Sequence, residues 1–143
     1  MRIVVALDSF KGSLSAKNAC RIVVEVLQTL EPAWHIESIP LADGGEGTAE
    51  TLIDACQGQW RTVEGVTGPL PEMTLDASFG WLPETSTAVI EMARASGLTL
   101  LLREQRNPLL TSTYGTGQLM AAAMAAGARK LILTLGGSAT VDG

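Results

Sequence analysis

The chain has 143 residues, 46% of them hydrophobic and 17% charged, with a formal net charge of −5, a composition that excludes a disordered chain. Folding can bury roughly two-thirds of the surface of a chain this size, enough for one core. Ten Lys and Arg residues without a basic block argue against nucleic acid or an anionic membrane as partner, leaving a small ligand.

Cys20 and Cys56 lack metal-ligand spacing and His35 is the single histidine, which rules out a structural zinc site. The opening apolar run is too short for a signal sequence or a membrane span. A cytoplasmic protein with reduced thiols is expected.

Ile3 to Leu7 reads as a central parallel strand buried on both faces. After Asp8-Ser9-Phe10-Lys11-Gly12-Ser13, apolar residues from Ala16 to Leu30 recur at helical period, with Ser13 or Ser15 as N-cap and Pro32 as the stop. A second strand, Trp34 to Ile39, leads through Pro40-Leu41-Ala42-Asp43-Gly44-Gly45-Glu46-Gly47-Thr48 into a helix over about 49–57 that closes at Gly58. His35 and the three tryptophans read as structural.

Beyond Gln59 the pattern alternates, with Trp60, Thr62, Glu64 and Val66 followed by Met73, Leu75, Ala77 and Phe79 across Gly68-Pro69 and Pro71. Antiparallel strands are expected there. Ala88-Val89-Ile90 is a further strand, and Ser96 to Pro108 fits either a short helix or a loop. Thr111-Ser112-Thr113-Tyr114-Gly115-Thr116-Gly117 reads as a loop before a helix over Gln118 to Ala126 capped by Gly127, in which Met120 and Met124 are core residues. Lys130 to Leu135 is a last strand, and Gly136-Gly137-Ser138-Ala139-Thr140-Val141-Asp142-Gly143 follows where a crossover helix is expected, as in a truncated chain.

Four polar, glycine-rich segments thus flank the strands and helices, and such loops can aim backbone N–H groups at phosphate or carboxylate oxygens. Asp8, Asp43 and Asp142 each lie shortly after a predicted strand, the edge where open α/β sheets bind ligands. A carboxylate there can accept a proton from a hydroxyl or hold Mg²⁺ beside phosphates. Lys11 adds a point charge suited to an anion. Asp8 or Asp43 could equally cap the following helix, and each glycine loop could serve only as a turn. No P-loop, Gly-x-Gly-x-x-Gly or Gly-x-Ser-x-Gly motif is present.

Four stretches, 8–16, 42–48, 113–119 and 136–143, together closely resemble the N-terminal part of the bacterial glycerate kinases. The spacers Glu91-Met92-Ala93-Arg94-Ala95-Ser96-Gly97-Leu98 and Arg106-Asn107-Pro108 are similar to that family too. Val141 departs from the Asn of many relatives. The resemblance implies an α/β fold: a Rossmann-like parallel sheet with helices on both faces, plus part of a second mixed α/β domain. Residues 1–58 would begin the Rossmann-like domain, 59–110 form the mixed segment and 111–143 a further α/β segment.

It also implies ATP-dependent phosphorylation of D-glycerate, usually on the 2-hydroxyl, in glyoxylate or sugar-acid breakdown. Within that reading, physical inference assigns the catalytic tasks to Lys11, which would hold the substrate carboxylate, Asp43, which would orient the attacking hydroxyl, and Asp142, which would hold Mg²⁺. Asp8, Ser9, Gly44, Gly45, Glu46 and Gly47 would complete the glycerate site. Gly115, Thr116, Gly117, Gly136, Gly137, Ser138, Ala139 and Thr140 would cradle the ATP phosphates. Residues 1–143 alone would then be inactive. The alternative is a non-catalytic module that binds a small hydroxy acid or nucleotide.

Overall fold

A computed structural model describes residues 1–10 and 12–142, which form two compact units, Met1–Asp43 and Gly44–Gly143. By its internal contacts the chain divides at Asp43, whereas the sequence reading places a boundary after residue 58. The physical reason is that the helix following the second glycine loop packs on the strands that come after it.

In the first unit, strand β1 (Arg2–Val5) pairs in parallel with β2 (His35–Ser38), in the register Arg2 to His35 through Val5 to Ser38. Helix α1 (Ala16–Leu30) connects them and is capped by Ser15, whose hydroxyl accepts the Asn18 N–H at 3.3 Å. Ala19 and Cys20 of α1 are buried with Val5, and the Cys20 thiol points at the Val5 carbonyl. The two-sided cover expected for β1 is not found: Val4, which alternates with Val5, is 54% exposed. One helix cannot cover both faces of a strand pair.

The second unit is a mixed four-stranded sheet in the order β3-β4-β5-β6. Strands β3 (Gln59–Thr67), β4 (Thr74–Leu82) and β5 (Thr87–Glu91) run antiparallel in turn, and β6 (Lys130–Thr134) lies parallel to β5. The alternation read from 59 to 79 does produce the hairpin. Its parity is broken once, because Val63 pairs with Ala77 while Val66 pairs with Leu75. The extra residue is taken up at Gly65, whose φ of +69° belongs to the left-handed region and whose N–H donates to Asp76 Oδ1. Val63 and Val66 therefore both face the main core, where the sequence pattern had set Glu64 in step with Val66.

Helices cover both faces of this sheet. Helix α4 (Tyr114–Ala125) buries Leu119 and Ala123 against Val66, Ala77, Phe79, Trp81, Ala88 and Ile90. On the alternate residues, α2 (Thr48–Ala55) packs Ala49 against Leu82 and Val89. The residues buried along α4 are Gly115, Thr116, Leu119 and Ala123, so Met124 falls beside that stripe and is 56% exposed instead of in the core. Met120 packs at the core margin.

Helix α4 also begins earlier than its sequence suggests. Two glycines at 115 and 117 are poor helix formers, yet they lie inside the first turns. A Cβ built on Gly115 would fall 1.9 Å from the Thr67 carbonyl oxygen, so the missing side chain is what lets α4 seat on β3. Helix α2 ends at Ala55, and shortly beyond it Gln57 takes the left-handed φ of 51° expected of Gly58. The stretch from Ser96 to Pro108 resolves into a short helix α3 (Ala93–Ser96) and two single turns of 3-10 helix. Among the described residues no helix is long and apolar enough to cross a membrane.

Candidate functional site

Two of the glycine segments meet in the second unit. A Cβ on Gly136 would lie 2.5 Å from the Gly45 Cα, so the loop before α2 and the loop after β6 touch backbone to backbone. The loop after β6 is also sewn to the region before α4. Leu98 N–H donates to the Gly137 carbonyl at 2.8 Å and Ala139 N–H to the Ser96 carbonyl at 2.9 Å. Thr111 Oγ1 donates to the Ala139 carbonyl at 2.7 Å, and Ser96 and Thr116 share a buried hydroxyl hydrogen bond. Gly44, Glu46, Gly117, Gly137 and Ser138 are exposed, whereas Gly115, Thr116 and Ala139 are buried and Gly45, Gly47, Gly136 and Thr140 are intermediate.

Asp142 belongs to the same neighbourhood. Both of its carboxylate oxygens accept the backbone N–H of Thr113, at 2.9 and 3.1 Å, just ahead of α4. That hydrogen bond holds its carboxyl below the usual aspartate range, with further help from Ser112. Three of the sequence-predicted segments, around 45–47, 113–117 and 136–142, are thus brought together in one unit. Asp8, whose carboxylate accepts the Ser9 N–H, and Asp43 lie in the other unit. Lys11 lies outside the described residues.

The structure adds a buried ion pair that the sequence reading carried only as part of a spacer. Glu91, 2% exposed at the end of β5, accepts the Arg94 Nε–H at 2.8 Å on one oxygen and the Ala49 N–H at 2.8 Å on the other. Helix α2 has no side-chain cap of its own, since its N-cap is Gly47. Glu91 takes that place from another strand, with the helix dipole and Arg94 both favouring its charge. The Arg94 guanidinium carbon lies 4.0 Å from the centre of the Trp60 ring, so this tryptophan, expected as packing, serves as a platform for a cation. Beside the pair is a cavity of about 300 Å³, lined in part by Glu46, Asp76, Ser78, Arg94 and Thr99. An acidic residue closing an otherwise apolar strand, with an arginine three positions on, was the available signal.

The glycerate kinase family profile matches residues 3–143. The chain belongs to the glycerate kinase family. It is 50% identical over 144 residues to a glycerate kinase of Bacillus subtilis and 47% identical over 143 residues to a glycerate 2-kinase of Escherichia coli. In each case the match covers the whole chain and 37% of the relative. A crystal structure of a Salmonella typhimurium LT2 protein, described as a candidate glycerate kinase 2, superposes with a TM-score of 0.79 at 43% identity, covering all of this chain and 38% of that one. The chain thus spans just over a third of the length of the relatives it matches, and its α/β architecture agrees with the one its family resemblance implies.

Proposed function

We propose that this chain forms the N-terminal part of an ATP-dependent kinase that phosphorylates D-glycerate, with 2-phosphoglycerate as product, using cytoplasmic ATP in glyoxylate or sugar-acid breakdown. The observation that carries the reading is family membership over essentially the whole chain. The meeting of the 45–47 and 136–142 loops supports it, because phosphoryl transfer is mostly positioning and charge stabilisation by backbone donors and cations. In this reading the loop from Gly136 to Thr140, with Gly117 at the exposed turn of α4, would face the phosphates. The buried Gly115 and Thr116 would hold that turn in place.

Asp43 would orient the attacking hydroxyl and Lys11 would neutralise the substrate carboxylate. Among the described residues no three acidic, histidine or cysteine side chains form a cage for a metal ion. In this reading Asp142 would offer one carboxylate to a Mg²⁺ ion that arrives on the nucleotide. Its contribution when bound would be to neutralise charge on the transferring phosphoryl group.

The test is a coupled ADP assay on a chimera in which residues 1–143 replace the matching part of the Bacillus subtilis glycerate kinase, with NMR of the product. Glycerate-dependent ADP release is expected from the chimera and none from residues 1–143 alone. Tight glycerate or nucleotide binding by a folded chimera without turnover would favour the non-catalytic binding module.

A further inference from the structure

We propose that Glu91 is a positioning residue for phosphoryl transfer, which ties the loop at 44–47 to the loop at 136–140 and so sets the gap that the transferred group must cross. The inference rests on the kinase reading, in which the first loop stands on the acceptor side and the second on the phosphate side.

Glu91 ends β5 and has a tie to each loop. Its register partner on β6 is Thr134, two residues before Gly136, and the N–H of the next residue, Met92, donates to the Thr134 carbonyl at 3.2 Å. The Glu91 side chain rises on the face that α2 covers, since Val89, which shares its parity along β5, packs against Ala49. There one carboxylate oxygen accepts the N–H of Ala49, two residues after Gly47. A single side chain therefore connects the end of the first loop to the strand that launches the second. Arg94, stacked on Trp60 of β3, holds the other oxygen through its Nε–H. Because the guanidinium neutralises it, the carboxylate can stand between the loops without adding net charge beside phosphates.

The loop at 44–47 depends on such an anchor. Three of its four residues are glycine, and Gly44 and Gly47 take left-handed φ angles of +93° and +90°, so its own side chains do little to fix its course. Gly45 meets Gly136 backbone to backbone. The hydroxyls of Thr48, at the head of α2, and Thr134, at the end of β6, are buried without a hydrogen-bond partner among the described residues, so neither secures the junction. Glu91 carries that task, and a carboxylate bonded to two fixed donors is a stiff joint. A misplacement of about 1 Å can cost about 100-fold in rate even when the altered residue touches neither substrate.

The test compares Glu91→Gln and Glu91→Asp with the parent chimera for kcat, both KM values and denaturant midpoint. Gln can satisfy Ala49 or Arg94 but not both, and Asp keeps the charge on a stem one methylene too short to span them. Each should lower kcat about 10- to 100-fold with little change in KM for glycerate or ATP, a split that lost stability alone does not produce. Parental kcat in either folded variant would overturn the assignment. A second readout needs no turnover. In spectra of the ¹⁵N-labelled chain, Glu91→Gln should shift the amides of Gly45 and Gly47 together with those of Gly136 and Gly137, and shifts confined to α2 would overturn the coupling of the loops. Turnover by the parent chimera with Glu91→Gln equally active refutes this inference alone. No turnover by the parent chimera, with both loops shifted in the spectra, refutes the kinase reading alone.

Discussion

Gly115 and Gly117 sit two residues apart in the first turns of α4, and the structure predicts opposite outcomes when each becomes alanine. Relaxing a helical glycine to alanine ordinarily stabilises by about 1 kcal/mol. At Gly117 nothing lies within 4 Å of the new Cβ, so the whole of that gain is expected. At Gly115 the new carbon would stand 1.9 Å from the Thr67 carbonyl oxygen, roughly 1.5 Å inside ordinary contact. The obstructing atom is strand backbone and cannot turn aside. Moving α4 away would also stretch the 2.8 Å hydrogen bond from Thr67 N–H to Gln118 Oε1 and loosen Leu119 in the core. Overpacking of this kind costs about 1–3 kcal/mol or more, and with the lost hydrogen bond it outweighs the helix gain by about 2 kcal/mol. Urea melts followed by circular dichroism, compared at equal slope, should show Gly115→Ala less stable than the parent by that amount and Gly117→Ala more stable by up to about 1 kcal/mol. In heating experiments the two should move apart by roughly 10 °C. Equal stabilisation by both substitutions would refute the close approach of α4 to β3.

Three further outcomes follow from the same geometry. Arg94→Met, which strands the buried Glu91 carboxylate, should destabilise by about 3–5 kcal/mol, whereas Glu91→Gln, which leaves a solvent-reachable arginine, should cost clearly less; denaturant midpoints of the two variants decide it. The Asp142 carboxyl, held low by the Thr113 N–H, contributes stability that is present above the ordinary aspartate value and lost as pH falls through its lower folded value. Carbon NMR should place its midpoint below 3.8, and Asp142→Asn should reduce stability at pH 7 and progressively less as pH falls below the ordinary aspartate value. In the chimera, Asp43→Asn should lower kcat by about 100-fold or more with little change in KM, and an unchanged kcat would return Asp43 to a structural role.

The sheet of the second unit was legible because its signals are local. Alternation from Trp60 to Phe79, and the apolar runs at 88–90 and 130–135, each announce a strand without reference to the rest of the chain. What stayed hidden depends on residues far apart in sequence. Gly115 looks like loop punctuation until Thr67 is placed beneath it, and Glu64-Gly65 looks like ordinary alternation until the pairing with Ala77 and Leu75 requires a bulge. For the candidate site, the glycine segments were visible and their meeting was not. Glu91 and Arg94 enter the sequence reading only within a family-like spacer, because nothing local marks an acid at a strand end as buried. Only the arrival of Ala49, 42 residues earlier in the chain, turns that acid into the buried cap of a helix.

The backbone contact between Gly136 and Gly45 bears on how sequence variation in this family is to be interpreted. Any side chain at 136 would collide with the opposite loop whether or not a ligand ever enters the site. Were that glycine constant across relatives, sterics alone would account for it, and its constancy would carry no weight as a record of nucleotide recognition. The informative columns are the neighbours with room to vary, Ser138 and Glu46, where solvent would tolerate many residues and only chemistry would select one.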